Sequence, residues 1–133
     1  MKLIDSSAWI EYYRKEGNRN CKAIISHAIQ NNEAAVNGII QLEILVFTKT
    51  QSEYNNISSD FSAFHHLELN DNVFQKASEI GFNLRRKGIT IPASDLIIAA
   101  SAMVTDSQLM HIDKHFTYIA EYYPLKLEEG LHR

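Results

Sequence analysis

The chain has 133 residues, of which 45% are hydrophobic and 22% charged, with a formal net charge of −3. This length predicts a single core, that is, one domain over residues 1–133, and the lack of an apolar run of about 18 residues excludes a membrane-spanning helix. The acidic balance argues against a general nucleic-acid coat protein, and the single cysteine, Cys21, excludes an internal disulfide and indicates a reducing compartment.

Short apolar runs alternate with helical patterns along the chain, which predicts an α/β fold with a mainly parallel sheet. The N-terminus enters the first predicted strand without a signal peptide, so we expect a cytoplasmic protein. Ser6 or Ser7 is the expected N-cap of the first helix, and Asn18 or Asn20 that of the second. The predicted strands span residues 2–4, 34–37, 67–69, 109–112 and 125–127. The later helices are predicted over 39–48 and 53–64, from Asp71 as N-cap to a stop at Gly88, from Pro92 onward, and over 114–121.

Four acidic residues stand where a strand ends or where an apolar helix would not otherwise carry a charge. Asp5 and Asp113 follow apolar runs and are expected at the carboxyl ends of strands, where sites form in parallel sheets. Glu43 interrupts the apolar run 39–47, and Asp95 precedes another. A carboxylate among apolar groups loses its hydration, which favours a cationic partner, a raised pKa or a bound metal. If the four converge, a hard divalent cation is the natural compensation.

Each acid also has a structural explanation. Asp5 and Asp113 are good N-caps for the helices that follow them, and Asp95 suits the positive end of a helix that starts at Pro92. Glu43 is the hardest to explain in this way, because its neighbours three and four residues away are apolar and offer no salt bridge. The residues alone leave helix caps and a metal site both open.

Four segments, in order, resemble the motifs of PIN-domain proteins. Residues 5–10, DSSAWI, are similar to the family's opening acid, small hydroxyl residues and apolar helix. Residues 40–45, IQLEIL, resemble its helix-borne glutamate, and residues 88–100, GITIPASDLIIAA, its third acid and the helix that follows. Residues 113–116, DKHF, are similar to its fourth acid and trailing aromatic residue. The order and spacing match over nearly the whole chain, and the short length resembles the VapC-type toxin subgroup.

The resemblance implies a fold, an activity and a set of partners. The fold would be a PIN-like three-layer α/β/α arrangement around a short, mainly parallel central sheet. The activity would be hydrolysis of RNA by a Mg²⁺- or Mn²⁺-dependent endoribonuclease that leaves 5′-phosphate and 3′-hydroxyl ends. Asp5, Asp95 and Asp113 would bind the metal, and Glu43 would be a ligand or the base that orients the attacking water. The partners would be RNA, the cognate antitoxin of a type II toxin–antitoxin pair, and a second copy of the chain in a homodimer.

One position departs from the family pattern. Members often have Thr two residues before the last acid, where this chain has His111. The hydroxyl group that orders the site is then expected from elsewhere, with Ser7 as the candidate. His111 itself lies near Asp113, and both a contact with the site and a structural role stay open.

Candidate RNA contacts are Arg85, Arg86 and Lys114, the last of which is followed by His115. Cations at the end of a long helix also suit the helix dipole, so a solvated helix end is the simpler explanation for the arginines. The tyrosine pairs at 12–13 and 122–123 are able to stack on bases, although such pairs more often pack in a core or a subunit interface.

Two other functions stay open at this stage. A catalytically inactive PIN-like binding module would bind metal and a partner without cleaving RNA. A receiver-like phospho-acceptor domain is also α/β with an acidic pocket, but it needs adjacent acids at the first strand end, and Asp5 has no acid before it.

Overall fold

A five-stranded parallel sheet forms the centre of the protein in the computed structural model, which describes residues 1–131. The order across the sheet is third, second, first, fourth and fifth strand, and all neighbouring pairs are parallel. This confirms the predicted α/β fold with a mainly parallel sheet. The strands are β1 (Lys2–Ile4), β2 (Ala34–Val36), β3 (His65–His66), β4 (Gln108–His111) and β5 (Leu127–Glu129).

Helices connect the strands on both faces of the sheet. Because crossovers between parallel strands are right-handed, the first four helices cover one face and the last three the other. The result is the three-layer α/β/α arrangement that the resemblance implied. Within residues 1–131, none of the helices has the length and apolarity needed to cross a bilayer. The helices are α1 (Ser6–Tyr13), α2 (Arg19–Gln30), α3 (Gly38–Val46), α4 (Gln51–Ser62), α5 (Asp71–Arg86), α6 (Ala93–Val104) and α7 (His115–Ala120).

Two strands lie about two residues from their predicted positions, and the other three agree with the prediction within one residue at each end. The third strand is His65–His66 rather than 67–69. The Leu67 N–H still donates to the Val36 carbonyl at 2.8 Å, and the chain leaves the sheet after this residue. The alternating pattern at 67–69 reflects the burial of Leu67 below an irregular segment. The last strand is Leu127–Glu129 rather than 125–127. As an edge strand it tolerates acidic residues, one of which, Glu128, forms an ion pair with Lys2.

Two helix caps differ as well. Asp5 caps α1 by accepting the N–H of Ser7, so Ser6 and Ser7, the predicted caps, are the first two helical residues. Their hydroxyl groups donate to acidic side chains instead. Asn70 caps α5 in place of Asp71, which is the first helical residue and places its charge at the positive end of the helix.

The sheet reverses its direction of growth between β1 and β4. The chain leaves β1 toward β2 and β3, and then returns to β4 on the other side of β1. Ligands of open parallel sheets bind outside the carboxyl ends of the strands at such a switch point. Asp5 follows β1 there and donates its N–H to the Met110 carbonyl on β4 at 2.9 Å. The order also differs from the 2-1-3-4-5 order of flavodoxin-like receiver domains, so the receiver-like alternative is wrong.

Candidate active site

The four acidic residues lie around the switch point. Asp5 caps α1, Glu43 lies on α3, Asp95 is in the first turn of α6, and Asp113 follows β4. Helices α3 and α6 contact each other although they cover opposite faces of the sheet. The carboxylates of Asp95 and Asp113 and the imidazole of His115 present ligand atoms that all lie within 4.8 Å of one another. We call the site formed by Asp5, Glu43, Asp95, Asp113 and His115 the acid pocket.

Asp5 is the most buried member of the acid pocket, with 3% of its surface exposed. Its Oδ2 accepts the Ser7 N–H at 3.1 Å and the Ser7 hydroxyl, whereas its Oδ1 is buried and has no hydrogen-bond partner among the described residues. Burial raises the pKa of Asp5 to about 6; the Ser7 hydrogen bonds oppose this, and the charges of Asp95 and Glu43 add to it. A buried carboxylate with a free oxygen and acidic neighbours is the donor that a hard cation needs.

Glu43 is held by a side chain from the neighbouring helix. Its Oε1 accepts the hydroxyl of Ser6 on α1 at 3.1 Å. Burial raises the pKa of Glu43, the Ser6 hydrogen bond lowers it, and the charge of Asp95 raises it. The electrostatic coupling with both Asp5 and Asp95 indicates that the Glu43 carboxylate belongs to the same pocket.

His115 bridges two of the acids. Its Nδ1 lies 2.8 Å from Asp95 Oδ2 and 3.3 Å from Asp113 Oδ1, and its backbone N–H donates to Asp113 Oδ1 at 2.9 Å. Burial raises the pKa of Asp95, His115 lowers it, and the charge of Asp113 raises it. From the sequence, His115 was expected only as a neighbour of the basic candidate Lys114. A signal for this contact was the spacing Asp-x-His at a strand-to-helix turn, where the acid accepts the N–H two residues later and draws the ring toward itself.

Ser7 and His111 both hold the turn that carries the last acid. The Ser7 hydroxyl donates to Asp5 and accepts the Ile112 N–H at 3.3 Å, so it connects the ends of β1 and β4. Nδ1 of His111 accepts the Asp113 N–H at 3.2 Å, which leaves its proton on Nε2 when the ring is neutral. That Nε2 is buried and has no partner among residues 1–131. Burial lowers the pKa of His111, which favours this neutral form.

The structure does not bring the three predicted RNA-binding cations together. Lys114 is exposed at the start of α7, next to Asp113 in sequence. Arg85 and Arg86 are exposed in the last turn of α5, and the Arg86 guanidinium lies 5.3 Å from the Phe82 ring centre. Within the part of the chain that the structure describes, no ion pair joins any of the three to the acid pocket.

A parallel sheet in this order, with four acids around its switch point, defines a class of protein, and comparison with known families identifies it. The family model described as PIN domain matches residues 2–122. The chain belongs to the PIN-domain family.

Individual relatives agree with this assignment. The chain is 30% identical to ribonuclease VapC11 of Mycobacterium tuberculosis over 125 residues, which cover 90% of this chain and 92% of the relative. It also shares its fold with two solved structures. One is FitAB bound to the IR36 DNA fragment, with a TM-score of 0.80 at 18% identity, covering 100% of this chain and 97% of that chain. The other is VapBC2 from Rickettsia felis bound to a DNA fragment from its promoter, with a TM-score of 0.77 at 18% identity, covering 96% of this chain and 97% of that chain.

Proposed function

We propose that the protein is a metal-dependent endoribonuclease and the toxin of a type II toxin–antitoxin pair. The observation that carries this proposal is the acid pocket, in which Asp5 has a buried, unpartnered oxygen close to the cluster of Asp95, Asp113 and His115. The ribonuclease name of the relatives and the toxin–antitoxin complexes among the structural neighbours support it.

The donor set of the acid pocket fits a hard divalent cation. Asp5, Asp95 and Asp113 would hold Mg²⁺ or Mn²⁺ through carboxylate oxygens. Such an ion supplies two things to phosphodiester hydrolysis: it offsets the negative charge of the phosphate and it activates the attacking water.

The protein's own residues orient the reaction. Glu43, which the Ser6 hydroxyl holds at 3.1 Å, would accept a proton from the attacking water, and burial raises the pKa of its carboxyl, which makes it a stronger base than a solvated glutamate. His115 holds Asp95 and Asp113 in a fixed relation, and Ser7 fixes Asp5 relative to the 112–113 turn. Carboxylates fixed in this way would hold the ion without reorganisation, and preorganisation of this kind is the main protein contribution to this type of catalysis.

The activity is tested by cleavage of RNA with and without a chelator. We expect cleavage that needs Mg²⁺ or Mn²⁺ and stops in EDTA, and we expect Asp95→Asn and Asp113→Asn each to reduce kcat about 100-fold or more while the fold is kept. The matched control is Asp71→Asn, because Asp71 is an exposed acid at the start of α5 and should keep full activity. Cleavage that survives complete chelation would contradict the metal mechanism. Metal binding without any cleavage would favour the inactive binding module.

The antitoxin is proposed to cover an apolar groove between α1, α3 and α4. The groove has a volume of about 420 Å³ and includes Trp9, Ile10, Ile44, Phe47 and Ile57 in its lining. Phe47 is 73% exposed and adjoins the other apolar residues of the groove, and contiguous exposed apolar surface of this kind marks interaction sites. An apolar antitoxin segment would bury this side chain.

The groove is tested by co-expression with the antitoxin encoded beside the toxin gene. Phe47→Asp should abolish co-purification and leave the fold and RNA cleavage of the free protein unchanged. Phe74→Asp is the matched control, since Phe74 is an exposed phenylalanine on α5 outside the groove. Equal loss with both variants would contradict the assignment of the groove.

The homodimer is also proposed, on different residues from those that first indicated it. Tyr12 and Tyr13 are only partly buried, and both pack against the core. On α3, however, Leu42 and Val46 are exposed on one face and flank Glu43 in sequence, so a dimer through them would bring two acid pockets to one groove. Sedimentation at micromolar concentration should show a dimer for the parent protein and a monomer for Leu42→Glu.

A further inference from the structure

A second surface of the protein combines cations with aromatic rings. The Lys76 ammonium lies 5.5 Å from the centre of the Tyr123 ring, and the Lys87 ammonium lies 5.2 Å from the centre of the Tyr122 ring. These pairs border a cleft of about 650 Å³ between α5 and the segment that follows α7. We call it the basic–aromatic cleft, and its lining includes Glu79, Asn83, Arg86, Lys87, Tyr122 and Tyr123.

The sequence of α5 explains why these groups share one surface. One stripe of the helix is buried and apolar, and a second stripe with the same helical spacing carries the polar residues that face the tyrosines. Asn83 donates to the Tyr123 hydroxyl at 3.0 Å, which fixes that ring beside the helix. The buried stripe is Val73, Ala77, Ile80 and Leu84, and the polar stripe is Lys76, Glu79, Asn83, Arg86 and Lys87.

The helix dipole explains only part of this charge. Cations in the last turn, such as Arg86 and Lys87, are favoured by the negative end of α5 in any case. Lys76 lies in the first half of the helix, where the dipole gives no such advantage. The whole chain carries a net charge of −3, yet this cleft presents three cations against one acid, Glu79. The surface is therefore locally basic on an acidic protein.

Basic side chains interleaved with aromatic rings match the chemistry of a single nucleic-acid strand. Bases stack on aromatic rings, while neighbouring cations pair with the phosphates. Tyr122 remains 48% exposed beside Lys87, so a base has access to the ring. We propose that the basic–aromatic cleft binds single-stranded RNA and delivers it to the acid pocket. This inference rests on the proposed ribonuclease function and specifies how the substrate is held.

Helix α7 connects the cleft to the acid pocket. His115, at its first residue, bridges Asp95 and Asp113, and Tyr122 follows seven residues later. Helix α7 ends at Ala120, so at a rise of about 1.5 Å per residue its six residues span roughly 9 Å, and Tyr122 lies two residues beyond its end. A stacked strand advances about 3.4 Å per nucleotide, so RNA bound in the cleft reaches the acids within about three nucleotides.

The test measures RNA binding separately from cleavage. Binding of a short fluorescein-labelled single-stranded RNA of mixed sequence is followed by anisotropy in EDTA, which prevents the proposed cleavage. We expect Tyr122→Leu to raise Kd about tenfold, since one base loses its stacking partner. We expect Lys87→Gln to raise Kd as well and to reduce the slope of log K against log salt by about 0.7, the value for one lost phosphate contact on a single strand.

Three control variants test the direction of the effect and its location. Glu79→Gln removes the one acid of the cleft and should tighten binding, because a repulsion with phosphate is gone. Lys49→Gln and Tyr54→Leu remove an exposed lysine and an exposed tyrosine near the start of α4, on the opposite face of the sheet, and should leave Kd unchanged. Unchanged Kd within about twofold for Tyr122→Leu and Lys87→Gln overturns the proposal. So does loss of binding that coincides with a changed sedimentation coefficient, because the cleft would then be an assembly surface.

Cleavage kinetics distinguish this inference from the proposed function. If both hold, Tyr122→Leu raises KM and leaves kcat at saturating RNA unchanged, since the cleft lies outside the reacting atoms. If the parent cleaves RNA and the variants keep its KM, the cleft proposal fails and the ribonuclease proposal stands. If the cleft variants weaken binding but the parent cleaves no RNA, the ribonuclease proposal fails and the cleft remains an RNA-binding surface.

Discussion

Helix α1 connects two regions in which burial has opposite energetic consequences. Its first turn carries Asp5, Ser6 and Ser7 in the acid pocket. Its later residues enter an aromatic cluster, which we define as Trp9, Tyr12, Tyr13, Phe61 and Phe64.

Burial stabilises the aromatic cluster and destabilises the acid pocket. In the aromatic cluster the Trp9 ring lies 5.2 Å from Phe61 and 5.3 Å from Phe64 between ring centres, so burial removes apolar surface from water and adds ring contacts. In the acid pocket the burial of Asp5 removes water from a charge and leaves one oxygen without a partner. The comparison teaches that a destabilised site is tolerated because strong apolar packing begins one turn away on the same helix.

The largest effect is expected from breaking the aromatic cluster. Phe61→Ala should lower the free energy of unfolding by about 3–5 kcal/mol, because Phe61 is fully buried and its removal leaves a cavity against Trp9. Urea denaturation measures this change. The control is Phe74→Ala, an exposed phenylalanine whose truncation should cost no more than about 0.5 kcal/mol. Equal effects from both would show that the cluster is not a stabilising centre.

A substitution in the acid pocket should raise the free energy of unfolding, whereas one in the aromatic cluster lowers it. Asp5→Asn should raise the metal-free unfolding free energy at pH 7 by about 2–3 kcal/mol, which corresponds to the rise of the Asp5 pKa from 3.8 to about 6. Asn keeps the capping oxygen of α1 and removes one of the mutually repelling charges. The exposed acid Asp71 gives the control, since Asp71→Asn should not stabilise. A loss of stability in Asp5→Asn would mean that Asp5 is a structural cap.

The pH dependence of stability tests whether Asp5 is the source of this stabilisation. Because the pKa of Asp5 is raised in the folded protein, the folded state binds more protons than the unfolded state between about pH 4 and 6. The contribution of Asp5 to stability is therefore most favourable below pH 4 and is lost as the pH rises through about 6. The advantage of Asp5→Asn over the parent should then shrink toward zero near pH 4. An advantage that is constant from pH 4 to 7 would exclude Asp5 as its source.

Added Mn²⁺ should stabilise the parent protein more than it stabilises Asp5→Asn. Metal bound to the parent should stabilise it by about 2.7 kcal/mol at 100 times the dissociation constant, and less in Asp5→Asn because one charged ligand is missing. Melting curves with and without Mn²⁺ measure this difference. Equal stabilisation of parent and variant would place the ion elsewhere.

The positions of the acids were predictable because each depends on local sequence. Asp5 and Asp113 follow apolar runs that form neighbouring strands, and Glu43 interrupts an apolar helix without a partner in reach. The bridge by His115 was not predictable in the same way, because it depends on how α6 and α7 meet in three dimensions. The short third strand was missed for a related reason. Two histidines carry no alternating pattern, and their pairing with β2 is a tertiary effect.

The Ser7 hydroxyl connects the two sides of the acid pocket, since it bonds both Asp5 and the Ile112 N–H. Ser7→Ala should reduce kcat about 10- to 100-fold, because both Asp5 and the Ile112 N–H lose the hydroxyl that joins them. Ser7→Thr retains the hydroxyl and should restore most of the activity. Ser6→Ala affects only the Glu43 contact and should reduce kcat less. If Ser7→Thr is as impaired as Ser7→Ala, the hydroxyl is not the group that matters.

The smallest effect is expected where the aromatic cluster meets the solvent. The Tyr13 hydroxyl donates to Asp60 at 2.9 Å, and burial together with Asp60 raises the pKa of Tyr13, so the hydroxyl remains a donor throughout the accessible pH range. Tyr13→Phe keeps the ring stacked on Trp9 and removes only this bond, which should cost about 0.5–1.5 kcal/mol of unfolding free energy. Tyr12→Phe is the matched control, because the Tyr12 hydroxyl has no hydrogen bond among residues 1–131, and its change should be near zero. Asp60→Asn combined with Tyr13→Phe completes a double-mutant cycle. A coupling energy near zero would show that the ring contacts, and not the hydrogen bond, hold α1 against α4.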